Sequence, residues 1–297
     1  MSTRKTILPI AAGLAAVVSA AVAAEPAPVP LGLQQAMPGG TSAGDAEVAQ
    51  GSVTLAAVIR NGEEPLGEGL AWHVFERDGT AAGELVAVRR GGSQNLRLKT
   101  GDYVAHVAYG RASAVTTFTV GAEGADLDPV VLDAGGVKLL AEAGGRPIEN
   151  ADEVRFSIYE VDGDERRLIL PDVPANETVR VARGLYRVVA QYGPLNAVAG
   201  ADIRVRSGEV TEATLGVPGA EITLNLVGRN GGAPLASTAW RVFDSDGKPL
   251  FESDEPAPSM ILAAGTYTTE ALHAGRTVTH AFDVTAGNDA TVAVPLE

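Results

Sequence analysis

Apolar residues alternate with their neighbours in short segments along the chain after residue 50. Three such segments place equivalent residues on one face of a strand with a period of two. The residues that share this face are Tyr103, Ala105, Val107 and Tyr109, then Tyr186, Val188, Ala190 and Tyr192, then Tyr267, Thr269, Ala271 and His273. No window keeps an apolar i, i+3, i+4, i+7 stripe for more than two turns. The pattern therefore predicts an all-β protein.

Pairs of turn residues separate these segments roughly every 10–12 residues. Asn61-Gly62 and Asp246-Gly247 are examples, and such pairs tolerate the positive φ angles of hairpin turns. This spacing predicts six or seven strands per unit, as in a β-sandwich.

The alternating segments belong to a threefold internal repeat. The sequence WHVFERDG, which starts at Trp72, recurs as FSIYEVDG at Phe156 and as WRVFDSDG at Trp240. An aliphatic-x-x-Gly-x-Tyr motif recurs as well, and of the 14 aromatic residues only Phe251 lies outside the repeated segments. We therefore predict three tandem sandwich modules. Their predicted bounds are residues 51–134, 135–219 and 220–297.

The N-terminal residues have the three parts of a secretory signal peptide. Arg4 and Lys5 precede an uncharged apolar run, and small residues lead to a cleavage site near Ala23 and Ala24. An uncleaved membrane anchor is the alternative, but the run is Ala-rich and near the lower limit of about 17 residues for a span. We predict a signal peptide over residues 1–24, a periplasmic or secreted protein, and no membrane span after cleavage.

Residues 25–50 contain Pro and Gly without an apolar period, which predicts a flexible linker. Residues 40–44 (GTSAG) match the Gly-x-Ser-x-Gly pattern of a hydrolase nucleophile. That motif requires a strand before it and a helix after it, and neither is predicted here. We interpret the match as chance in a linker of small residues.

Composition excludes several functional classes. The chain has 297 residues, with Lys+Arg 23 and Asp+Glu 37, and it contains no Cys. Without Cys there is no disulfide framework, thiolate metal site or Cys nucleophile. A formal charge of -14 disfavours binding to nucleic acid. The hydrophobic fraction of 45% is too high for a disordered chain.

The four histidines offer no motif with metal-ligand spacing. His273 and His280 are seven residues apart across a predicted hairpin, so they are expected to be able to approach each other, without a third ligand. His106 falls on the strand face opposite Tyr103, which predicts exposure to solvent. A loop from Asp244 resembles an EF-hand, but it has Lys and Pro where that loop needs a ligand and Gly. We expect no metal site, no cofactor and no catalytic residue.

One aromatic position in each repeat is a candidate for binding. If Trp72 and Val74 face the core, Phe75 points to the other face of its strand, as do Tyr159 and Phe243 in the other repeats. If these rings are exposed, they are expected to form a stacking surface for a glycan or a partner chain. If they are buried, they are expected to pack against a loop or the adjoining module. Of the two alternatives, burial is favoured.

The repeated motifs resemble those of known families. An opening strand, an Asn-Gly or Gly-Gly turn, an aromatic-x-aliphatic-aromatic strand and the Gly-x-Tyr strand are similar to bacterial immunoglobulin-like and transthyretin-like sandwiches, notably carboxypeptidase regulatory-like domains. They also resemble tail repeats of exported bacterial proteins with adhesion-type domains. The resemblance implies accessory, adhesive or spacing modules, and it implies no catalytic residue.

Together these features predict an exported, non-enzymatic accessory protein. It is expected to act as a binding or spacing module in the periplasm or at the cell envelope. The expected partner is an envelope protein or a polysaccharide. Two alternatives stay open: an envelope hydrolase with carboxylates at a module interface, and a structural subunit of a surface assembly that polymerises through strand edges.

Overall fold

A computed structural model describes residues 49–79, 81–228 and 232–296. The predicted signal peptide, nearly all of the predicted linker and the motif at residues 40–44 lie outside the described residues. Within the described ranges the only helical segment is one 3-10 turn, Ala151–Glu153, and no helix there is long and apolar enough to cross a membrane. The prediction of an all-β protein is confirmed.

The strands form three successive groups, which we call the first, second and third sandwich. The first contains β1 (Gln50–Leu55), β2 (Ala57–Val58), β3 (Leu70–Asp78), β4 (Ala81–Gly91), β5 (Gln94–Lys99), β6 (Gly101–Tyr109), β7 (Ala112–Val120) and β8 (Val130–Val131). The second contains β9 (Ala134–Ala143), β10 (Arg146–Pro147), β11 (Val154–Asp162), β12 (Glu165–Pro174), β13 (Thr178–Ala182), β14 (Gly184–Tyr192), β15 (Ala197–Val205) and β16 (Val210–Gly216). The third contains β17 (Gly219–Val227), β18 (Thr238–Phe243), β19 (Pro249–Ser253), β20 (Ser259–Ala263), β21 (Gly265–His273), β22 (Arg276–Val284) and β23 (Ala290–Pro295).

Each sandwich has an antiparallel four-stranded sheet, which we call its long sheet. The strand orders are β4-β3-β6-β7, β12-β11-β14-β15 and β19-β18-β21-β22. Opposite it, in the second and third sandwiches, lies a mixed sheet, in which the opening strand pairs antiparallel with one strand and parallel with the closing strand. In the first sandwich the opening segment is divided into β1, which pairs antiparallel with β5, and β2, which pairs parallel with β8, and the two pairs are separate two-stranded sheets. The parallel pairs are β2-β8, β9-β16 and β17-β23.

The alternation along each strand places the largest side chains between the two sheets. In β3, Leu70, Trp72 and Val74 are buried, whereas Phe75 lies on the opposite face, as predicted. Trp72 and its counterparts in β11 and β18, Phe156 and Trp240, are almost completely buried. Both sheets contribute to each of the three buried clusters, so removal of apolar side chains from water holds them face to face.

The Gly-x-Tyr motif forms the same corner in every sandwich. The hydroxyl of Tyr103 donates a hydrogen bond to the carbonyl oxygen of Lys99 at 2.9 Å. Tyr186 and Tyr267 make the equivalent bonds, at 2.7 and 2.8 Å, to the carbonyl four residues earlier. A tyrosine hydroxyl that bonds to nearby upstream backbone is typical of β-sandwich corners. Burial, assisted by Glu160, raises the pKa of Tyr186 to about 12.

The turns that join the last two strands of the first and second long sheets contact the next sandwich. Gly193, between β14 and β15, has φ +67, and a Cβ there would lie 2.8 Å from Cβ of Ile261 in β20. Gly110, between β6 and β7, has φ +65, and its Cβ would lie 2.8 Å from Cβ of Arg180 in β13. Equivalent turns therefore touch equivalent strands at both junctions, and only glycine fits.

A side-chain amide adds two hydrogen bonds to the second junction. Asn196 Nδ2 donates to the hydroxyl of Tyr267 at 2.8 Å, and its Oδ1 accepts from the backbone N–H of Ala263 at 2.9 Å. At the first junction the guanidinium of Arg180 lies over the ring of Tyr109, 4.5 Å from its centroid. Consecutive sandwiches are thus joined by specific contacts.

Candidate binding surfaces

The three aromatic residues predicted for binding lie on the outer faces of the long sheets, away from the cores. Phe75, Tyr159 and Phe243 are each half-buried, a state between the two alternatives considered for them. Their cross-strand neighbours are Val104, Arg187 and Thr268, respectively. Each belongs to a different sheet, so the three rings do not form one site. A binding role for them stays a prediction.

The outer face of the first long sheet carries a row of apolar residues and imidazoles. In register across the four strands, the row is Val88, His73, His106 and Val115. Val88 is 44% exposed and Val115 is 62% exposed, and Leu85, which pairs with Phe75 in the adjacent row, is 47% exposed. This face therefore presents apolar side chains to solvent around two histidines.

The two histidines of this row face each other across the central strands. The ring centroids of His73 and His106 are 6.1 Å apart, with the planes tilted by 43°. Burial, followed by the proximity of His73, lowers the pKa of His106. The predicted exposure of His106 is met only in part, because the residue is partly buried.

The proposed approach of His273 and His280 is wrong. In the hairpin of β21 and β22, His273 pairs with Arg276, and His280 pairs with Thr269. The four-residue offset along the strand separates them by about 13 Å. The sequence reasoning missed the pair His73 and His106, which are 33 residues apart. The alternation places both histidines on the outer faces of their strands. This information identifies a pair only when β3 and β6 are known to be neighbours in the sheet.

The equivalent rows of the other long sheets have different chemistry. In the second sandwich the row contains Ser157, Val189 and Gly200. In the third sandwich it contains Glu252, Arg241, Glu270 and Thr279. Arg241 Nε lies 3.3 Å from Glu252 Oε1 there. The same backbone register thus carries imidazoles in one sandwich and an ion pair in another.

A groove of ≈ 620 Å³ lies between the second and third sandwiches. Its apolar lining residues are Leu195, Phe251, Met260 and Ile261, and its carboxylates are Asp152, Glu153, Asp172 and Glu221. Phe251 is the aromatic residue that falls outside the repeated segments. Two of the lining residues form an ion pair, with Arg155 Nε 3.3 Å from Asp172 Oδ1. The groove combines apolar and mostly acidic lining residues, and its volume is in the usual range for ligand sites.

The loop that resembles an EF-hand is an acidic turn. Oδ1 of Asp244 accepts hydrogen bonds from the backbone N–H groups of Asp246 and Lys248, at 3.0 and 2.8 Å. This carboxylate therefore stabilises the turn itself. In the described residues, no group of three or more His, Asp or Glu side chains is arranged to hold a metal ion.

Residues 221–296 match one family model. The family is described as the Rhizobiales growth-associated tandem repeat domain. The match covers about a quarter of the chain. No curated protein matches the chain.

Several solved structures are similar at low identity. A streptococcal ancillary pilin is 12% identical, with 84% of this chain and 99% of the pilin covered at a TM-score of 0.32. The minor pilin of Streptococcus agalactiae is 14% identical, with 54% and 94% covered at a TM-score of 0.29. The Bacillus anthracis TIE protein is 14% identical, with 84% of this chain covered at a TM-score of 0.25, and the match spans 50% of its length. TM-scores this low establish neither a shared fold nor a shared function.

Proposed function

We propose that this chain is an exported, non-enzymatic binding protein of the periplasm or cell envelope. Three tandem modules, over residues 51–134, 135–219 and 220–297, hold the outer face of the first long sheet toward a partner protein. The observation that carries this proposal is the exposure of Leu85, Val88 and Val115 on that face. Leu85 and Val88 lie on β4, and Val115 lies on β7, beyond the two histidines. A group of exposed apolar side chains on one face of a soluble protein is characteristic of an interaction site.

The remaining parts of the chain fit a spacing role. The repeated junctions at Gly110 and Gly193 orient consecutive modules in an equivalent way, which suits a spacer. The match of residues 221–296 to a tandem repeat domain supports the modular organisation. The proposal includes the immunoglobulin-like or transthyretin-like relation of the modules that the repeated motifs imply. The signal-peptide pattern of residues 1–24 supports export.

Fractionation and crosslinked capture test this function together. The tagged full-length chain is expressed in a Gram-negative bacterium, and we expect a shortened product in the periplasmic or envelope fraction. Crosslinking in that fraction is expected to capture a partner with the wild type and to lose it with V88E/V115E. The matched control T279E, at the third-sandwich position equivalent to Val115, is expected to keep it. A full-length cytoplasmic product, or equal capture by both variants, would contradict the proposal.

The groove supports a second candidate function, an envelope hydrolase. Four carboxylates line a cleft between two modules, as that alternative requires, and glycoside hydrolysis uses a pair of such groups. Purified mature protein is incubated with envelope polysaccharide, and new reducing ends are counted. Turnover that disappears in both D172N and E221Q would favour the hydrolase over the binding protein. We expect no turnover.

A further inference from the structure

We propose that His73 and His106 form a binding site for a divalent transition-metal ion such as Zn²⁺ or Cu²⁺ on the outer face of the first sandwich. The proposal is independent of the binding function above, because it rests on the geometry of two side chains. It revises the expectation from sequence that the chain has no metal site.

The backbone fixes the two histidines opposite each other. His73 is on β3 and His106 is on β6, the two central strands of the long sheet, and they are direct cross-strand partners. Directly opposite residues in an antiparallel pair have Cα atoms about 4.5–5.5 Å apart, and their side chains project from the same face. Flanking strands β4 and β7 keep both central strands in register. The pair is therefore preorganised without any loop.

The separation of the rings suits coordination of one shared ion. Metal–nitrogen bonds of about 2.0–2.1 Å at a tetrahedral centre put two imidazole centroids about 5 Å apart. The observed separation is 6.1 Å. Small rotations of the two side chains close the difference of about 1 Å, while the backbone stays in place. Water completes the coordination shell, because the site opens onto the surface beside the exposed Val88 and Val115.

Both ligands of the proposed site are imidazoles, which limits the metal ions that it suits. A metal ion binds neutral imidazole and competes with protons for it. Imidazole ligands suit Zn²⁺, Cu²⁺ and Ni²⁺, with Cu²⁺ the tightest in a given site.

The site is specific to the first sandwich. The equivalent cross-strand pair is Ser157 and Val189 in the second, and Arg241 and Glu270 in the third. Neither pair provides two neutral nitrogen ligands. A single ion per chain is therefore expected, although the fold is repeated three times.

Zinc titration of the mature protein tests the proposal. The protein carries a histidine-free tag, and Zn²⁺ alone is the probe, followed by calorimetry at pH 7.5 and by the shift in Tm. We expect about one Zn²⁺ per chain and a higher Tm with zinc. His73→Asn and His106→Asn are each expected to weaken binding at least about tenfold. His280→Asn, the control, is expected to bind like the wild type.

Two outcomes would overturn the site: absence of saturable binding by the wild type, and undiminished binding by the H73N/H106N double variant. A second readout needs no substitution, so a folding defect in a variant does not decide the matter. In NMR spectra of the wild type, zinc is expected to move the imidazole signals of His73 and His106 alone. Movement of the His273 or His280 signals instead would place the ion elsewhere.

Discussion

The long sheets of the first and third sandwiches have the same framework, but the side chains on their outer faces differ in chemistry. Trp72 and Trp240 occupy equivalent buried positions, and Tyr103 and Tyr267 form the same corner and stack on equivalent phenylalanines. On the outer face, the first sheet has a row of two valines and two histidines. The third has Arg241 between two glutamates in the same register.

This difference separates what folds the protein from what it recognises. The repeated residues are those that fill the core or shape a turn, and a change in them costs stability in every sandwich. The outer rows contribute little to the core, so each is free to differ. Function that is specific to one sandwich should therefore be sought on its outer face or at its junctions.

The largest expected effect tests the shared core. Trp72→Ala and Trp240→Ala each remove the largest side chain of a core, and each is expected to destabilise its own sandwich by about 3–5 kcal/mol. Urea unfolding of both variants, followed by hydrogen exchange, measures the loss and its location. A loss under about 1 kcal/mol in only one of them would break the equivalence of the two cores.

The next effect compares the turn at a junction with the equivalent turn of the third sandwich. Gly193 and Gly275 both have positive φ, so Ala costs about 1–2 kcal/mol at either position. Only at Gly193 does the new Cβ meet another sandwich, at Ile261. We expect G193A to lose about 1–3 kcal/mol more than G275A in thermal or urea unfolding. Equal losses of stability in the two variants would show that the junction accommodates the new Cβ without an energetic penalty.

A smaller effect is expected at the tyrosine corner. Tyr186→Phe keeps the ring but leaves the carbonyl of Ala182 without its donor, which costs about 1 kcal/mol. Since the hydroxyl is buried, Tyr186 of the wild type should ionise at about pH 12. Urea unfolding and a spectrophotometric alkaline titration check the two parts. Early ionisation of Tyr186 would contradict its burial.

The smallest expected effect is a pH dependence of the stability of the first sandwich. Because the pKa of His106 is lowered in the folded state, the unfolded chain binds more protons as the solution is acidified. Stability is therefore lost as pH falls through the ordinary histidine pKa toward the lower folded value. Melting curves between pH 7.5 and 5 should be less pH-dependent in His106→Val than in the wild type, and His280→Val serves as control. Identical slopes in all three would contradict the lowered pKa.

The sequence predicts the repeated parts of this structure well, because they depend on local patterns. Alternation identifies the buried face of β3 and of β6, and recurrence identifies Tyr103, Tyr186 and Tyr267 as equivalent. The histidine pair depends on which strands become neighbours, and local spacing does not contain that information. The groove at Phe251 forms where two sandwiches meet, so local patterns do not predict it. The sequence indicates it only through the position of Phe251 outside the repeated segments.

Photo-crosslinking in the cell tests the central claim, that the outer face of the first sandwich is the binding face. A photoreactive amino acid replaces Val115 in one variant and Thr279, its equivalent in the third sandwich, in the other. Envelope fractions are illuminated and adducts of the chain are compared on blots. We predict a discrete adduct from position 115 and none from position 279. Adducts from position 279 alone, or from neither position, would contradict the account.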